Sequence, residues 1–276
     1  AGLGDALVRR APLPVDDVDL LRVHRSDHVE ALIELDAAGG GRLDQDTTMG
    51  PGSWQAARLA AGAGLVAIDG LRNGDAEVAF CAVRPPGHHA TPTRTMGFCL
   101  LNNVAVAAAS LADAGERVAI IDIDAHHGNG TQDAFVADGR VLFVSCHQWP
   151  LYPGTGAVDE VGTGDGLGTT INVPLPTGAA GDTYRYAMDV LVVPAVERFA
   201  PDWILVSAGF DAHRADPLTD LGLSAGDYAD LMGRLTGLVP TGRLIAFLEG
   251  GYDLGALADS AGAFVAAALG VRYSPE

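Results

Sequence analysis

The sequence predicts an α/β protein with a mostly parallel β-sheet, and three observations carry that reading. Six short apolar runs, rich in valine and isoleucine, recur along the 276 residues. Their near-continuous apolar character is the habit of strands buried on both faces. Alanine-rich segments with helical spacing lie between most of them. No internal repeat and no Pro/Ser-rich linker divides the chain, so strand alternating with helix means crossover-connected parallel strands within one domain.

The elements follow in order. Residues 52–71 space their apolar positions as a helix, with Ser53 as the expected N-cap. Residues 78–83 read as the first strand, 101–114 as a helix, and 118–123 and 141–145 as the next two strands. Residues 170–173 form a fourth strand. The glycine-rich stretches 39–41 and 162–168 read as loops; the second precedes a strand, whereas a nucleotide-binding glycine loop precedes a helix. A helix over 182–199 stops before Pro201. A strand over 203–207, a helix over 224–238 capped by Ser224, a strand over 244–248 and a helix over 254–269 complete the reading.

Composition excludes several functions. With 35 acidic against 17 basic residues the net charge is −18, and every basic residue is arginine. A lysine Schiff base, a lysine nucleophile and a P-loop lysine are therefore absent. Nucleic acid is not an expected partner, because phosphate neutralisation needs a basic face. Hydrophobic residues reach 48% and charged ones 19%, enough to build a core and too little charge for disorder. Cys81, Cys99 and Cys146 make no paired framework, so free thiols in a reducing, cytoplasmic compartment are expected. No apolar run reaches the roughly 18 residues of a membrane span, and residues 1–10 lack the apolar region of a signal peptide. One domain over 1–276 is expected.

In open α/β sheets, ligands bind beyond the carboxyl ends of the strands. Six of the eight histidines fall there, with several aspartates. Asp124 and His126, two apart, leave one face of an extended segment together. Asp211, beyond the strand at 203–207, is the best third ligand, and three such ligands with an open position make a catalytic zinc site. His88-His89, after two prolines and a glycine, suit two proton-transfer roles near a metal-bound water. Asp122 is placed to fix the tautomer of one of them and Asn129 to orient the other. Gly250-Gly251 lets Tyr252 approach as an oxyanion donor. His24 and His28 read as surface residues, His127 as a packing or hydrogen-bonding neighbour, and Cys99 and Cys146 as small buried hydrophobes.

The segments RPPGHHA (84–90), GFCLLNNVAVAA (97–108), DIDAHHGNGTQ (122–132), LYPGTG (151–156), SAGFDAHRADPL (207–218) and LEGGYDL (248–254) together resemble the histone deacetylase superfamily. The likeness runs from about residue 23 to 267 and is greatest to the bacterial class II-like deacetylases, acetylpolyamine amidohydrolases and acetoin-utilisation proteins. It implies the three-layer α/β/α arginase–deacetylase fold, with a sheet of about eight strands. It implies Zn2+, with Fe2+ as an alternative, on Asp124, His126 and Asp211. His88 and His89 match the tandem histidines, His89 as general base and acid, with Asp122 pairing the first. Tyr252 matches the transition-state tyrosine, and Asn129 favours the class II-like branch. Structural K+ is implied at Asp122, Ser145 and Cys146 with the backbone of Asp124 and His126. Gly97, Phe98 and Tyr152 match the acyl-lysine tunnel, Leu218 and Asp46 its rim, and Gly250 and Gly251 the turn before Tyr252.

The implied activity is hydrolysis of an acylated lysine peptide or small acylamine to acetate and free amine. No membrane or nucleic-acid partner is expected, and oligomeric state is open. A binuclear manganese ureohydrolase would need an acidic residue two after His126, where Gly128 stands, and another two after Asp211, where His213 stands. A catalytically dead binding module would have lost a ligand, a tandem histidine or Tyr252, and none is lost. Against the polyamine branch, Leu218 follows Asp216-Pro217 where that branch carries a glutamate, although an acetylpolyamine remains an alternative substrate.

Overall fold

The computed structural model describes residues 3–273, so residues 1–2 and 274–276 of the expected 1–276 domain lie outside it. After a 3-10 turn at Gly4–Ala6 come α1 (Asp17–Leu20) and α2 (Ser26–Ala37). A short antiparallel pair, β1 (Gly41–Arg42) and β2 (Thr48–Met49), leads into α3 (Ser53–Arg72). Then follow β3 (Ala79–Cys81), α4 (Asn103–Asp113), β4 (Val118–Asp122), α5 (Asn129–Phe135), β5 (Val141–Gln148) and β6 (Thr170–Leu175). The last third holds α6 (Gly181–Ala187), α7 (Val193–Phe199), β7 (Trp203–Ala208), α8 (Ala225–Leu235), β8 (Leu244–Leu248) and α9 (Leu254–Ala268).

All six apolar runs are strands of one parallel sheet, ordered β3-β8-β7-β4-β5-β6. The resemblance implied about eight strands; the sheet has six among the described residues. The remaining extended segments, β1 and β2, are two residues long and pair only with each other. Alternation along β4 sends Val118 and Ile120 into one core with α3 and α4, and Ala119 and Ile121 into a second core with α6 to α9. That makes the three layers. Each fully buried Val or Ile contributes about 1.5–3 kcal/mol relative to exposure, which is why the central strands tolerate no polar residue before their carboxyl ends.

Three local readings need correction. Gly52, not Ser53, is the N-cap of α3; the Ser53 hydroxyl instead accepts from the Gly50 N–H at 3.0 Å. The helix expected over 182–199 is interrupted by a π turn at Met188–Val192. Pro194 follows at once and has no N–H to donate back to the preceding turn, so the helix widens before it. His24 and His28 are buried rather than at the surface. Asn102 N–H donates to His24 Nε2 at 2.9 Å, so His24 Nδ1–H donates to the Thr91 carbonyl at 3.1 Å. His28 Nε2 lies 3.3 Å from the Leu100 carbonyl. Docking of the segment before and within α2 onto the loop around Thr91–Asn102 covers both rings.

The chain runs from β4 outward to β5 and β6, then returns to the other side of β4 for β7 and β8. The loops leaving β4 and β7 therefore diverge, and the crevice between them is where a ligand is expected in such a sheet.

Candidate active site

Four strand ends supply the polar residues of that crevice. Beyond β4 the Ile123 N–H is still tied to the Ser207 carbonyl of β7 at 3.0 Å. Asp124 and His126 follow, and Asp211 comes from the loop after β7. Asp124 and Asp211 are fully buried and His126 nearly so. Their donor atoms lie within 4.8 Å of one another. His126 Nδ1 is 3.1 Å from Asp124 Oδ1 and 2.9 Å from Asp211 Oδ2. The second oxygen of each carboxylate is held by backbone: Asp124 Oδ2 accepts from Gly250 N–H and Asp211 Oδ1 from Ala125 N–H, both at 2.8 Å. A side chain at Gly250 would overlap the Asp211 carboxylate, so glycine is required by the approach of β8's end.

This donor set fits a divalent cation. Two buried carboxylates converge on one imidazole, and no arginine ion-pairs with either among the described residues. Burial and the neighbouring Asp124 charge push the Asp211 carboxyl up to about 7. Burial opposes charge on His126, yet the hydrogen bonds of Asp124 and Asp211 raise it to about 10. The buried negative charge thus holds protons until a cation replaces them. One nitrogen and two oxygen donors suit zinc or ferrous iron.

The tandem histidines are separated by their partners. His88 Nδ1 lies 2.9 Å from Asp122 Oδ2 and His89 Nδ1 lies 2.8 Å from Asn129 Oδ1. Burial works against a charge on His88, but the Asp124 and Asp122 carboxylates raise its pKa well above the ordinary value. Burial and the neighbouring His88 lower that of His89 well below it. The His89 and His126 ring centroids are 6.0 Å apart.

Aromatic rings frame the approach. The Tyr152 ring meets His89 edge-on at 5.2 Å and His126 at 6.3 Å. Phe98 lies 6.1 Å from the Tyr252 ring and adopts a left-handed backbone (φ 65°), rare for a bulky residue. Gly97 before it packs so closely on His89 that a Cβ would overlap the ring. Burial, then the Asp124 and Asp211 charges, push the Tyr252 phenol up, which keeps it a proton donor. Leu218 is half-exposed. Asp46 is exposed, takes the Thr47 hydroxyl at 2.7 Å, and with Arg84 and Phe98 lines an open groove of about 450 Å³. Gly251 follows Gly250 in the turn that delivers Tyr252.

Beneath the crevice, Asp122 of β4 and Ser145 of β5 are register partners. Ser145 and Cys146 are fully buried, as is Cys99. The Ser145 hydroxyl lies 3.0 Å from His147 Nδ1.

Two residues escaped the sequence reading. Glu249 is fully buried and its Oε2 accepts from Gly87 N–H at 2.6 Å and His88 N–H at 3.2 Å. Asp216 accepts from Tyr252 N–H at 2.8 Å and Leu218 N–H at 3.0 Å. Both hold loops through backbone donors, and only an acidic residue ending an apolar strand (Glu249) or an Asp-Pro turn (Asp216) signals them.

Residues 2–268 match the histone deacetylase domain family. A probable deacetylase of Archaeoglobus fulgidus is 44% identical over 275 residues, covering 98% of this chain and 76% of its own length. A histone deacetylase-like amidohydrolase of Pseudomonas aeruginosa is 42% identical over 263 residues, 92% of this chain and 68% of that protein. The crystal structure of the HDA15 HD domain superposes with a TM-score of 0.93 at 38% identity, covering all of this chain and 78% of that one. The crevice, its buried Asp-His-Asp cluster and these likenesses agree: the chain belongs to the histone deacetylase family and has its arginase–deacetylase fold.

Proposed function

We propose that the protein is a metal-dependent amidohydrolase that removes an acetyl or other acyl group from an acylated amine such as acetyl-lysine, releasing acetate and the free amine. The observation that carries this is the buried cluster of Asp124, His126 and Asp211, with His89 beside it and Tyr252 under the electrostatic influence of its carboxylates.

Asp124, His126 and Asp211 would hold Zn2+, or Fe2+, which when bound supplies a Lewis acid and brings the pKa of a water toward about 7. Asp122, Ser145 and Cys146, with backbone oxygens of Asp124 and His126, would hold a structural K+. The rest of the chemistry belongs to the chain. Asn129 fixes the proton of His89 on Nδ1, leaving Nε2 to take a proton from the attacking water and deliver it to the departing amine. Asp122 orients His88 and balances its charge. The Tyr252 hydroxyl donates to the developing oxyanion. Gly97, Phe98 and Tyr152 wall a channel for an aliphatic chain, with Leu218 and Asp46 at its rim.

A panel of acetyl-lysine peptides, longer acyl-lysines and acetylated polyamines, compared by kcat/KM, tests the reading. Hydrolysis of the lysine peptides that vanishes on stringent removal of divalent metal is expected. Full activity without metal would overturn it, and a preference for acetylpolyamines would reassign the substrate. Tyr252→Phe is expected to lower kcat about 10²–10³-fold with metal content unchanged.

A further inference from the structure

The LYPGTG segment carries Tyr152, yet the rest of that loop has no part in the chemistry above. It is clamped by a ring of hydrogen bonds. Glu160 Oε1 accepts from the Gly156 and Ala157 N–H groups, each at 3.0 Å. Its other oxygen accepts from Gln132 Nε2 at 2.6 Å. That fixes the Gln132 amide, so its oxygen faces His127 Nε2 at 3.0 Å and the Asn172 amide at 2.8 Å. His127 Nε2 therefore carries the proton, and His127 Nδ1 accepts from the Thr155 hydroxyl at 2.8 Å. Thr155 returns the ring to the loop. From the far side, the buried His147 receives the Ser145 hydroxyl on Nδ1 and donates Nε2–H to the Gly156 carbonyl at 3.0 Å. Glu160 is the one formally charged group in this ring, and through Gln132 it sets the orientation of His127. The ring also adjoins the Asp-His-Asp cluster along the chain, because His127 is the next residue after His126.

We infer that Glu160 is a positioning residue for Tyr152: through Gln132, His127 and Thr155 it holds the 151–156 loop so that the Tyr152 ring stays edge-on to His89 and His126. This rests on the proposed acyl-channel role of Tyr152. Along the path from Glu160 through Gln132, His127 and Thr155 each side chain is paired to the next, and a wall held from behind in this way has one position rather than several. Glu160 touches neither the metal-binding side chains nor the channel, so it acts on substrate binding and acyl-chain selection rather than on bond cleavage.

The test is a double-mutant cycle on the metal-loaded protein, with Glu160→Ala, Tyr152→Ala and both together. Acetyl-lysine and longer acyl-lysine peptides serve as substrates. Glu160→Ala is expected to raise KM for the acetyl peptide about fivefold, to leave kcat within about twofold, and to shift the acetyl-to-long-acyl ratio of kcat/KM. In the Tyr152→Ala background the same change is expected to do nothing further to KM. Additive effects, or a fall in kcat with KM and selectivity unchanged, would overturn the inference. Thr155→Val supplies a milder break that leaves the Glu160 clamp intact; it is expected to shift selectivity in the same direction, and an unchanged ratio would count against the ring. Inactivity of the unmodified protein on every acylamine would instead refute the proposed activity.

Discussion

A methyl group at position 250 would stand where the Asp211 and Asp124 carboxylates now lie, and the peptide N–H at the same position anchors Asp124. Gly250→Ala is therefore expected to weaken divalent-metal affinity about 10–100-fold, as loss of an orienting partner does. Competition with a chromophoric chelator measures it, and unaltered affinity would mean that the carboxylates are not held by this approach. Much of the site was legible in the sequence because its side chains project from loops at the ends of apolar runs, where position alone brings them together. Asp124, His126, Asp211, His88, His89 and Tyr252 were chosen as candidates in that way, and the first three converge into one buried cluster. Glu249 and Asp216 were not, because they work by receiving backbone N–H groups of other loops, and such pairings leave no spacing pattern behind.

At the scale of elements, α8 shows how a short sequence signal sets a boundary. Ser224 accepts from the Asp227 N–H, and the Asp227 carboxylate accepts in return from the Ser224 N–H at 2.8 Å. Arg185 of α6 joins Asp227 at 2.8 Å, so the cap also ties two helices. Ser224→Ala is expected to cost about 1 kcal/mol, read as a lower denaturation midpoint at constant slope. A change in neither would deny the cap its role. Strands and most long helices were readable because burial on both faces, or on one stripe, imposes apolar periodicity. The short helix α5 is built largely of polar and small residues near the crevice and carries no such stripe. The buried places of His24 and His28 follow from a loop 67 to 78 positions away closing over them, which helical spacing in a polar segment cannot reveal.

Across the whole molecule, several imidazoles are folded into neutral surroundings. Burial, and for His24 the neighbouring His28, bring its pKa down to about 3. Burial and His147 bring His127 to about 3, and burial brings His147 to about 4. Each lies below the unfolded value of about 6.5. At these three rings the unfolded chain binds more protons between roughly pH 3 and 6.5, so their contribution to stability rises with pH across that window. The contribution is fully present above about pH 6.5 and is lost as pH falls. In the metal-free protein the buried Asp211 and Glu249 carboxyls, raised to about 7, slope the other way over part of that window, so urea titrations from pH 7.5 to 5 read the net slope and the histidine part appears as the change on substitution. His24→Gln should reduce it by up to about one proton; an equal slope in the variant would show that His24 does not contribute.

The crossing at β4 and β7 has a last consequence. His126 and Asp211 stand 85 positions apart in the chain and belong to the two directions in which the sheet grows. An ion shared by them acts as a reversible cross-link, closing a long loop as a disulfide would, but with a strength set by the free ion concentration. Chelation is expected to lower the melting temperature by an amount that grows with the logarithm of the metal concentration removed, and scanning calorimetry at graded metal levels measures it. The same supply of ions would then set how firmly the chain is held folded, so that scarcity loosens the fold as well as emptying the site.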